Sequence, residues 1–162
     1  MSVHLFTRSH YSLLNGLMSV PDIVLTAKEK GFTQIAITEH RVMFSHLEFY
    51  LEATKHNIKP IFGLEVSFDG WTSTLLAKNN EGYQVLQVLS YRLSQQDFIT
   101  LEDFSDAMDD LIFIVHSENG PFEDALSQED YDDIHFKILE IKRLIPNFYI
   151  GLSHQESNFF KI

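Results

Sequence analysis

Apolar residues recur along this 162-residue chain with two periods, and segments of the two kinds alternate. Short apolar runs, which are typical of buried strands, lie at residues 3–6, 34–38, 60–68, 71–78, 111–115 and 148–152. Between them, apolar residues spaced three and four apart indicate helices over residues 19–31, 42–56, 79–93 and 131–144. The alternation predicts a mainly parallel sheet of about six strands with right-handed crossovers, either open or closed into a barrel.

Capping and turn residues mark several of these boundaries. Ser19 is a candidate N-cap for the first helix, and Gly31 is a stop signal for it. Asn79 or Asn80 can cap the third helix. Residues 69–70 (Asp-Gly) predict a two-residue hairpin turn, so we expect one antiparallel pair of strands.

The composition is that of a globular domain, with 44% hydrophobic and 22% charged residues. No apolar run of about 18 residues occurs, so no transmembrane helix is expected. The N-terminus lacks the basic and apolar regions of a signal peptide. Cysteine is absent, which excludes disulfides and thiolate metal sites. Together these features predict a cytoplasmic protein without membrane contact.

The formal charge of −11 is concentrated in one part of the chain. No Lys or Arg lies between Arg92 and Lys137, and 13 of the 23 acidic residues do. Domains that bind nucleic acid by themselves carry a basic face, so autonomous DNA binding is not expected. The acidic stretch is either a solvated face with loops, or a surface that repels DNA or meets a basic partner.

Polar residues of metal-binding type follow four of the predicted buried strands. Glu39 and His40 follow the second strand, Glu65 lies late in the third, His116 follows residues 111–115, and His154 follows the last strand. Chemistry in α/β folds lies at the carboxyl ends of strands, so these side chains could share a site for zinc, manganese or iron. The alternative is that each is an ordinary polar residue at a strand end.

Four segments carry a resemblance to a known family. Residues 4–17 (HLFTRSHYSLLNGL) are similar to the pattern HLHVHSxYSLLDG, and residues 36–44 (AITEHRVMF) to ALTDHGNMF. Residues 58–65 (IKPIFGLE) and 75–83 (LLAKNNEGY) continue the match. The chain thus resembles the PHP (polymerase and histidinol phosphatase) domain of the bacterial replicative DNA polymerase III alpha subunit. After about residue 93 the likeness is limited to rhythm and the last strand end.

The resemblance implies a distorted (β/α)7 barrel, truncated here to about six strands. Residues 1–162 would form a single PHP domain, the N-terminal part of a much longer polymerase chain. The family's site binds up to three metal ions, and in some members it has phosphoesterase or 3′–5′ exonuclease activity.

The chain departs from the family pattern mainly in its first motif. Phe6 and Arg8 stand where the pattern has metal-binding histidines, and Asn15 stands where it has an aspartate. Further departures are Glu39 for Asp, Arg41 for Gly and Thr72 for His. The remaining metal ligand candidates, all vestigial, are His40, Glu65, His116 and His154. We expect Arg8 or Arg41 to pair with Glu39 or Glu65, which would turn the metal site into a salt-bridged polar core.

Three functions remain open at this level. The first is a non-catalytic structural module, with the polymerase core of the same chain and other replisome subunits as partners. DNA would then be contacted and extended by the full polymerase, and this domain would have no catalytic residue and no cofactor. The second is a metal-dependent phosphoesterase or 3′–5′ exonuclease module that uses a residual zinc or manganese site. The third is a free-standing small α/β protein with an unrelated role.

Overall fold

The computed structural model describes residues 3–68, 71–96, 98–117, 120–145 and 148–152. These residues form five strands: β1 (Gln34–His40), β2 (Lys59–Phe68), β3 (Trp71–Ala77), β4 (Leu111–His116) and β5 (Phe148–Gly151). They also form five α-helices: α1 (Val20–Glu29), α2 (His46–Lys55), α3 (Asn80–Gln95), α4 (Glu123–Ser127) and α5 (Tyr131–Leu144). Two short 3₁₀ helices, Leu101–Asp103 and Ser105–Asp110, precede β4.

The five strands form one sheet in the order β1-β2-β3-β4-β5. The pairs β1–β2 and β4–β5 are parallel, whereas β3 is antiparallel to both of its neighbours. Four strands therefore run in one direction, and the strand that follows the hairpin is inserted among them. The α/β architecture and the hairpin pairing are confirmed, and the turn itself (residues 69–70) lies outside the described residues.

Residues 3–7 run beside β1 without forming a regular strand. They make one parallel bridge, between His4 and Ile35, and the Ala36 and Thr38 amides donate to the His4 and Thr7 carbonyls. The Thr7 amide donates to the Thr38 hydroxyl (2.9 Å) instead of a backbone carbonyl. Because a side chain takes the place of a ladder bond, the predicted first strand is reduced to a bridged segment.

Local signals explain where the helices begin. The Ser19 side chain accepts from the Asp22 amide at the start of α1, and Asn79 accepts from the Gly82 amide (2.8 Å) at the start of α3. Of the two candidate caps for α3, the structure therefore uses Asn79. The second helix begins at His46 and not near residue 42, because the chain first turns away from β1 at Arg41, whose φ is 65°.

Helices cover one face of the sheet with two hydrophobic clusters. Packing of α1 and α2 on β1 and β2 buries one cluster, which includes Val24, Ile37 and Phe49. The second cluster includes Leu86 of α3 and Phe113 of β4. Of the isoleucines of α5, Ile141 is in this core, whereas Ile134 and Ile138 are partly exposed and pack against it.

The opposite face of the sheet curls around a cavity of about 750 Å³. Alternate residues of β3 and β4 line its walls, while the residues between them face the helices. Residues of both sheet edges, the segment 4–8 and the end of β5, border the same cavity. The architecture is therefore an open barrel. Within the described ranges, no helix is both long and apolar enough to cross a membrane.

Candidate functional site

A buried carboxylate, Glu65, lies at the centre of the site where the sequence predicted metal ligands. It is on β2, paired in register with His40 of β1 and Thr74 of β3, and only 3% of its side chain is exposed. Arg8 donates to Oε2 through Nε (3.0 Å) and through Nη2. His40 Nδ1 lies 2.9 Å from the other oxygen, Oε1. Both carboxylate oxygens are therefore engaged, and the predicted pairing of Arg8 with Glu65 is confirmed.

His116 lies elsewhere on the cavity wall. Its Nε2 is 2.8 Å from the Thr74 hydroxyl, and its ring packs edge-to-face against Phe6 with the ring centroids 5.1 Å apart. The Arg8 guanidinium in turn lies 4.8 Å from the centre of the Phe6 ring, within cation–π range. The structure thus places Phe6 between His116 and Arg8, and His116 is not brought into the Glu65 cluster.

The remaining positions of the family's metal-binding pattern do not add a ligand to this cluster within the described residues. His154 lies outside the described residues. Asn15 is exposed, and its side-chain amide donates to the Leu13 carbonyl (3.2 Å). Among the residues that the structure describes, no three His, Asp or Glu side chains come together to hold a metal ion. Of the four predicted metal ligands, His40 and Glu65 therefore lie together, and His116 lies apart from them.

Glu39, the neighbour of His40, faces the other side of β1 and has a different task. It is fully buried and accepts hydrogen bonds from the Ser9 amide (3.2 and 3.1 Å), the Ser9 hydroxyl and the Ser12 hydroxyl. Ser12 Oγ also accepts from the His40 amide (2.9 Å). Glu39 therefore fixes the loop that follows the bridged segment. The sequence held one signal for this role, since a carboxylate in an apolar strand needs nearby donors and two serines three residues apart can supply them.

Arg41, the second arginine predicted to pair with a glutamate, contacts the end of α3. Its Nη2 donates to the carbonyls of Leu93 (3.0 Å) and Gln96 (3.2 Å) at the end of α3. The Arg41 backbone is tied to the sheet by donation to the Glu65 carbonyl (2.9 Å). A cation at a helix C-terminus is favourable because the last carbonyls lack partners within the helix. Of the two arginines considered, Arg8 enters the site and Arg41 caps a helix.

His46 follows no predicted strand, and the structure buries it so that only 2% of it is exposed. Its ring packs against Phe62 and Tyr83, with centroid distances of 5.2 and 5.8 Å. Burial lowers its pKa from 6.5 to about 4, an effect that the neighbouring Gly63 backbone and Glu39 carboxylate oppose only in part. His46 is therefore a neutral core residue and not a surface group.

Comparison with known proteins assigns the family. The sequence profile of the PHP domain matches residues 4–155 of this chain. The chain belongs to the PHP domain family. It is 30% identical to the DNA polymerase III subunit alpha of Ureaplasma parvum serovar 3 over 160 residues, which is 89% of this chain and 16% of that one. The corresponding subunit of Halalkalibacterium halodurans is 31% identical over 137 residues, 79% of this chain and 12% of that one.

This PHP chain therefore spans about a sixth or less of the length of these curated relatives. Among solved structures, an amidohydrolase from Chromobacterium violaceum aligns with a TM-score of 0.51 at 12% identity, over 92% of this chain and 88% of that one. At that identity the likeness concerns the fold alone. It agrees with a truncated, distorted barrel.

The side chains at the site do not suit the metal cluster that the PHP family implies. A cluster of divalent cations needs several free anionic or imidazole donors. Here Glu65 already has an oxygen bound to Arg8 and the other next to His40. Phe6 offers no donor atom, and the fixed positive charge of Arg8 repels cations.

Proposed function

We propose that this chain is a non-catalytic, structural PHP domain of the DNA polymerase III alpha type. The observation that carries this proposal is the Arg8–Glu65–His40 cluster, in which a guanidinium satisfies the carboxylate that would otherwise be free for a metal ion. A buried carboxylate is costly unless it is paired and hydrogen-bonded. Here Arg8 and His40 supply the partners of Glu65. The cluster thus joins β1, β2 and the N-terminal segment across the barrel.

The partners that this role implies are a polymerase core and other replisome subunits in the cytoplasm. Support comes from the relatives, since DNA polymerase III alpha subunits contain the matching segment as 12–16% of their length. DNA synthesis would belong to the polymerase as a whole. The net charge of −11 is consistent with a domain that does not bind the phosphate backbone by itself.

Metal analysis tests the non-catalytic part of this proposal. The purified 162-residue protein is dialysed against Zn²⁺ or Mn²⁺ and its metal content is measured, together with hydrolysis of a phosphomonoester and of single-stranded DNA. We expect substoichiometric metal and no hydrolysis above background. Near-stoichiometric metal that disappears in a His40→Ala/Glu65→Ala variant but persists in a His135→Ala control would favour the metal-dependent phosphoesterase or exonuclease instead.

The structural role of Arg8 is tested by its replacement. Arg8→Met should lower the free energy of unfolding by about 2–3 kcal/mol, because Glu65 stays buried without its guanidinium. This loss is smaller than the usual cost of breaking a buried pair, because Arg8 is partly exposed and His40 remains beside Glu65. Urea unfolding measures the change, with Arg143→Met, on the exposed end of α5, as the matched control.

A compensating variant makes the same test independent of side-chain size. Arg8→Met/Glu65→Leu removes both charges and should recover most of the stability lost by Arg8→Met, because an apolar pair can replace a buried ion pair at little cost. Equal stability of the Arg8→Met variant and the parent protein would show that the pair does not support the fold.

A further inference from the structure

The loop between the bridged segment and α1 exposes three leucines almost completely. Leu13, Leu14 and Leu17 are 81%, 106% and 99% exposed. Isolated apolar residues on a surface are common, but three within five residues, each close to full exposure, are not the usual surface of a monomer. We call residues 13–18 the leucine loop.

The leucine loop is held in a defined shape. The amides of Asn15 and Gly16 both donate to the Ser12 carbonyl (2.9 and 3.0 Å), and the His10 amide donates to the Met18 carbonyl (2.9 Å). The Ser12 hydroxyl is in turn anchored on the buried Glu39. The leucines are therefore presented to solvent by an anchored turn.

The backbone at the tip of the leucine loop is unfavourable for the residues that it carries. Leu14 has φ of 65°, the left-handed region in which a side chain with a Cβ is disfavoured. Gly16 lies so close to the Ser9 carbonyl that a Cβ at this position would be 1.9 Å from its oxygen. A strained leucine in full contact with water gains nothing within one molecule, and strain of this kind is typical of binding surfaces.

The start of α2 continues this apolar surface. Phe44, Leu47 and Leu51, spaced three and four apart, are 74%, 71% and 60% exposed. The Tyr11 hydroxyl donates to Glu48 Oε2 (3.0 Å) and thereby ties the leucine loop's base to this helix. Met18 and Tyr50 are also partly exposed. We call these eight side chains the leucine patch: Leu13, Leu14, Leu17, Met18, Phe44, Leu47, Tyr50 and Leu51.

The size and charge of the leucine patch indicate its occupant. Its exposed area is on the order of 1,000 Å², and a standard interface covers about 800 Å² on each partner. Residues 9–18 contain no Asp, Glu, Lys or Arg, and residues 42–51 contain only Glu48, which already binds Tyr11. The acidic residues after Arg92 belong to neither of these two ranges. Two such patches can therefore meet without bringing like charges together.

We propose that the leucine patch is the face through which two copies of this chain form a twofold symmetric dimer. In such an interface the same surface is used on both copies, so it must be complementary to itself. An uncharged apolar patch meets this requirement. The proposal is independent of the polymerase role, since it concerns the isolated chain and uses none of the three side chains of the Arg8–Glu65–His40 cluster.

Sedimentation equilibrium of the 162-residue protein over a range of concentrations tests the dimer. The parent chain should dimerise, and Leu14→Asn/Leu17→Asn should weaken dimerisation at least about 30-fold, the effect of losing a central apolar anchor. Asparagine tolerates the left-handed backbone at position 14 better than leucine does. The matched control is Leu139→Asn, on the exposed face of α5, which should leave dimerisation unchanged.

A covalent trap gives a second readout if the polar variants fold poorly. The chain has no cysteine, so Leu17→Cys introduces a single thiol. Under mild oxidation it should form a disulfide-linked dimer at a rate well above that of Leu139→Cys. A parent chain that stays monomeric, or a dimer unaffected by Leu14→Asn/Leu17→Asn, overturns the proposal. The proposal is also overturned if the 162-residue protein does not self-associate but binds, through the leucine patch, the remaining part of a DNA polymerase III alpha subunit.

Discussion

Replacing His46 with leucine should reduce the loss of stability that this PHP domain undergoes between about pH 6.5 and pH 4. In the folded protein the imidazole is 2% exposed and packs against Phe62 and Tyr83. Protonation would place a charge in this apolar cluster, so the pKa falls from 6.5 to about 4. Unfolding exposes the ring and restores its ordinary pKa.

The sign and size of the effect follow from this difference in pKa. Below pH 6.5 the unfolded chain binds a proton at His46 that the folded chain does not bind until about pH 4. The contribution of the neutral His46 side chain to the free energy of unfolding is therefore complete above pH 6.5 and is lost as the pH falls toward 4. Each pKa unit corresponds to about 1.4 kcal/mol, so the full loss is about 3 kcal/mol. Leucine has no such proton and a similar volume, so His46→Leu should change stability at pH 7 by less than about 1.5 kcal/mol.

Urea unfolding from pH 4 to pH 8 measures this difference directly. Carboxylates also titrate in the lower part of the range, but they act on the parent and on His46→Leu alike and cancel in the comparison. His135→Leu, at an exposed position of α5, is the matched control and should follow the parent curve. If His46→Leu loses as much stability as the parent between pH 6.5 and pH 4, the buried, neutral imidazole is refuted.

Two further pairs of substitutions test a close backbone approach and a helix cap. Gly16→Ala should lower the free energy of unfolding by at least about 2 kcal/mol, because its Cβ would collide with the Ser9 carbonyl. In Gly31→Ala the new Cβ meets no neighbour within 4 Å, so this variant should lose only about 1 kcal/mol, the cost of a φ of 75°. Equal losses in thermal denaturation of the two variants would contradict the close approach at Gly16. Asn79→Ala should remove about 1 kcal/mol by leaving the Gly82 amide without its cap. Asn79→Ser, which keeps a cap oxygen and brings no second carboxylate next to Asp110, should retain most of that stability. An unchanged melting temperature of Asn79→Ala would contradict the cap.

The sequence was informative about elements because local patterns determine them. The bounds of α5 agree with the apolar spacing over residues 131–144, and Ser19 and Asn79 act as the caps that their residue types indicated. The predicted start of α2, near residue 42, was about four residues too early, because apolar periodicity does not reveal the left-handed turn at Arg41. The bridged segment likewise failed to form a regular strand because the Thr38 hydroxyl competes for the Thr7 amide.

The site could be predicted only as a set of alternatives. The family pattern identified Phe6 and Arg8 as departures, and charge alone allowed either arginine to pair with either glutamate. The structure pairs Arg8 with Glu65 and places Arg41 at the end of α3. Strand pleating separates the acidic and imidazole groups, because successive residues of β1 face opposite sides: His40 meets Glu65, whereas Glu39 meets Ser9 and Ser12.

The sequence by itself thus determined the α/β alternation, the family and the positions at which the chain departs from the family's metal-binding pattern, since these depend on residue type and spacing. Only the tertiary structure decided which charges meet, that His46 is buried, and that Glu39 anchors the leucine loop. These contacts join residues that are far apart in the chain, such as Arg8 and Glu65, 57 positions apart. Their geometry depends on the register and curvature of the whole sheet, which no local pattern specifies.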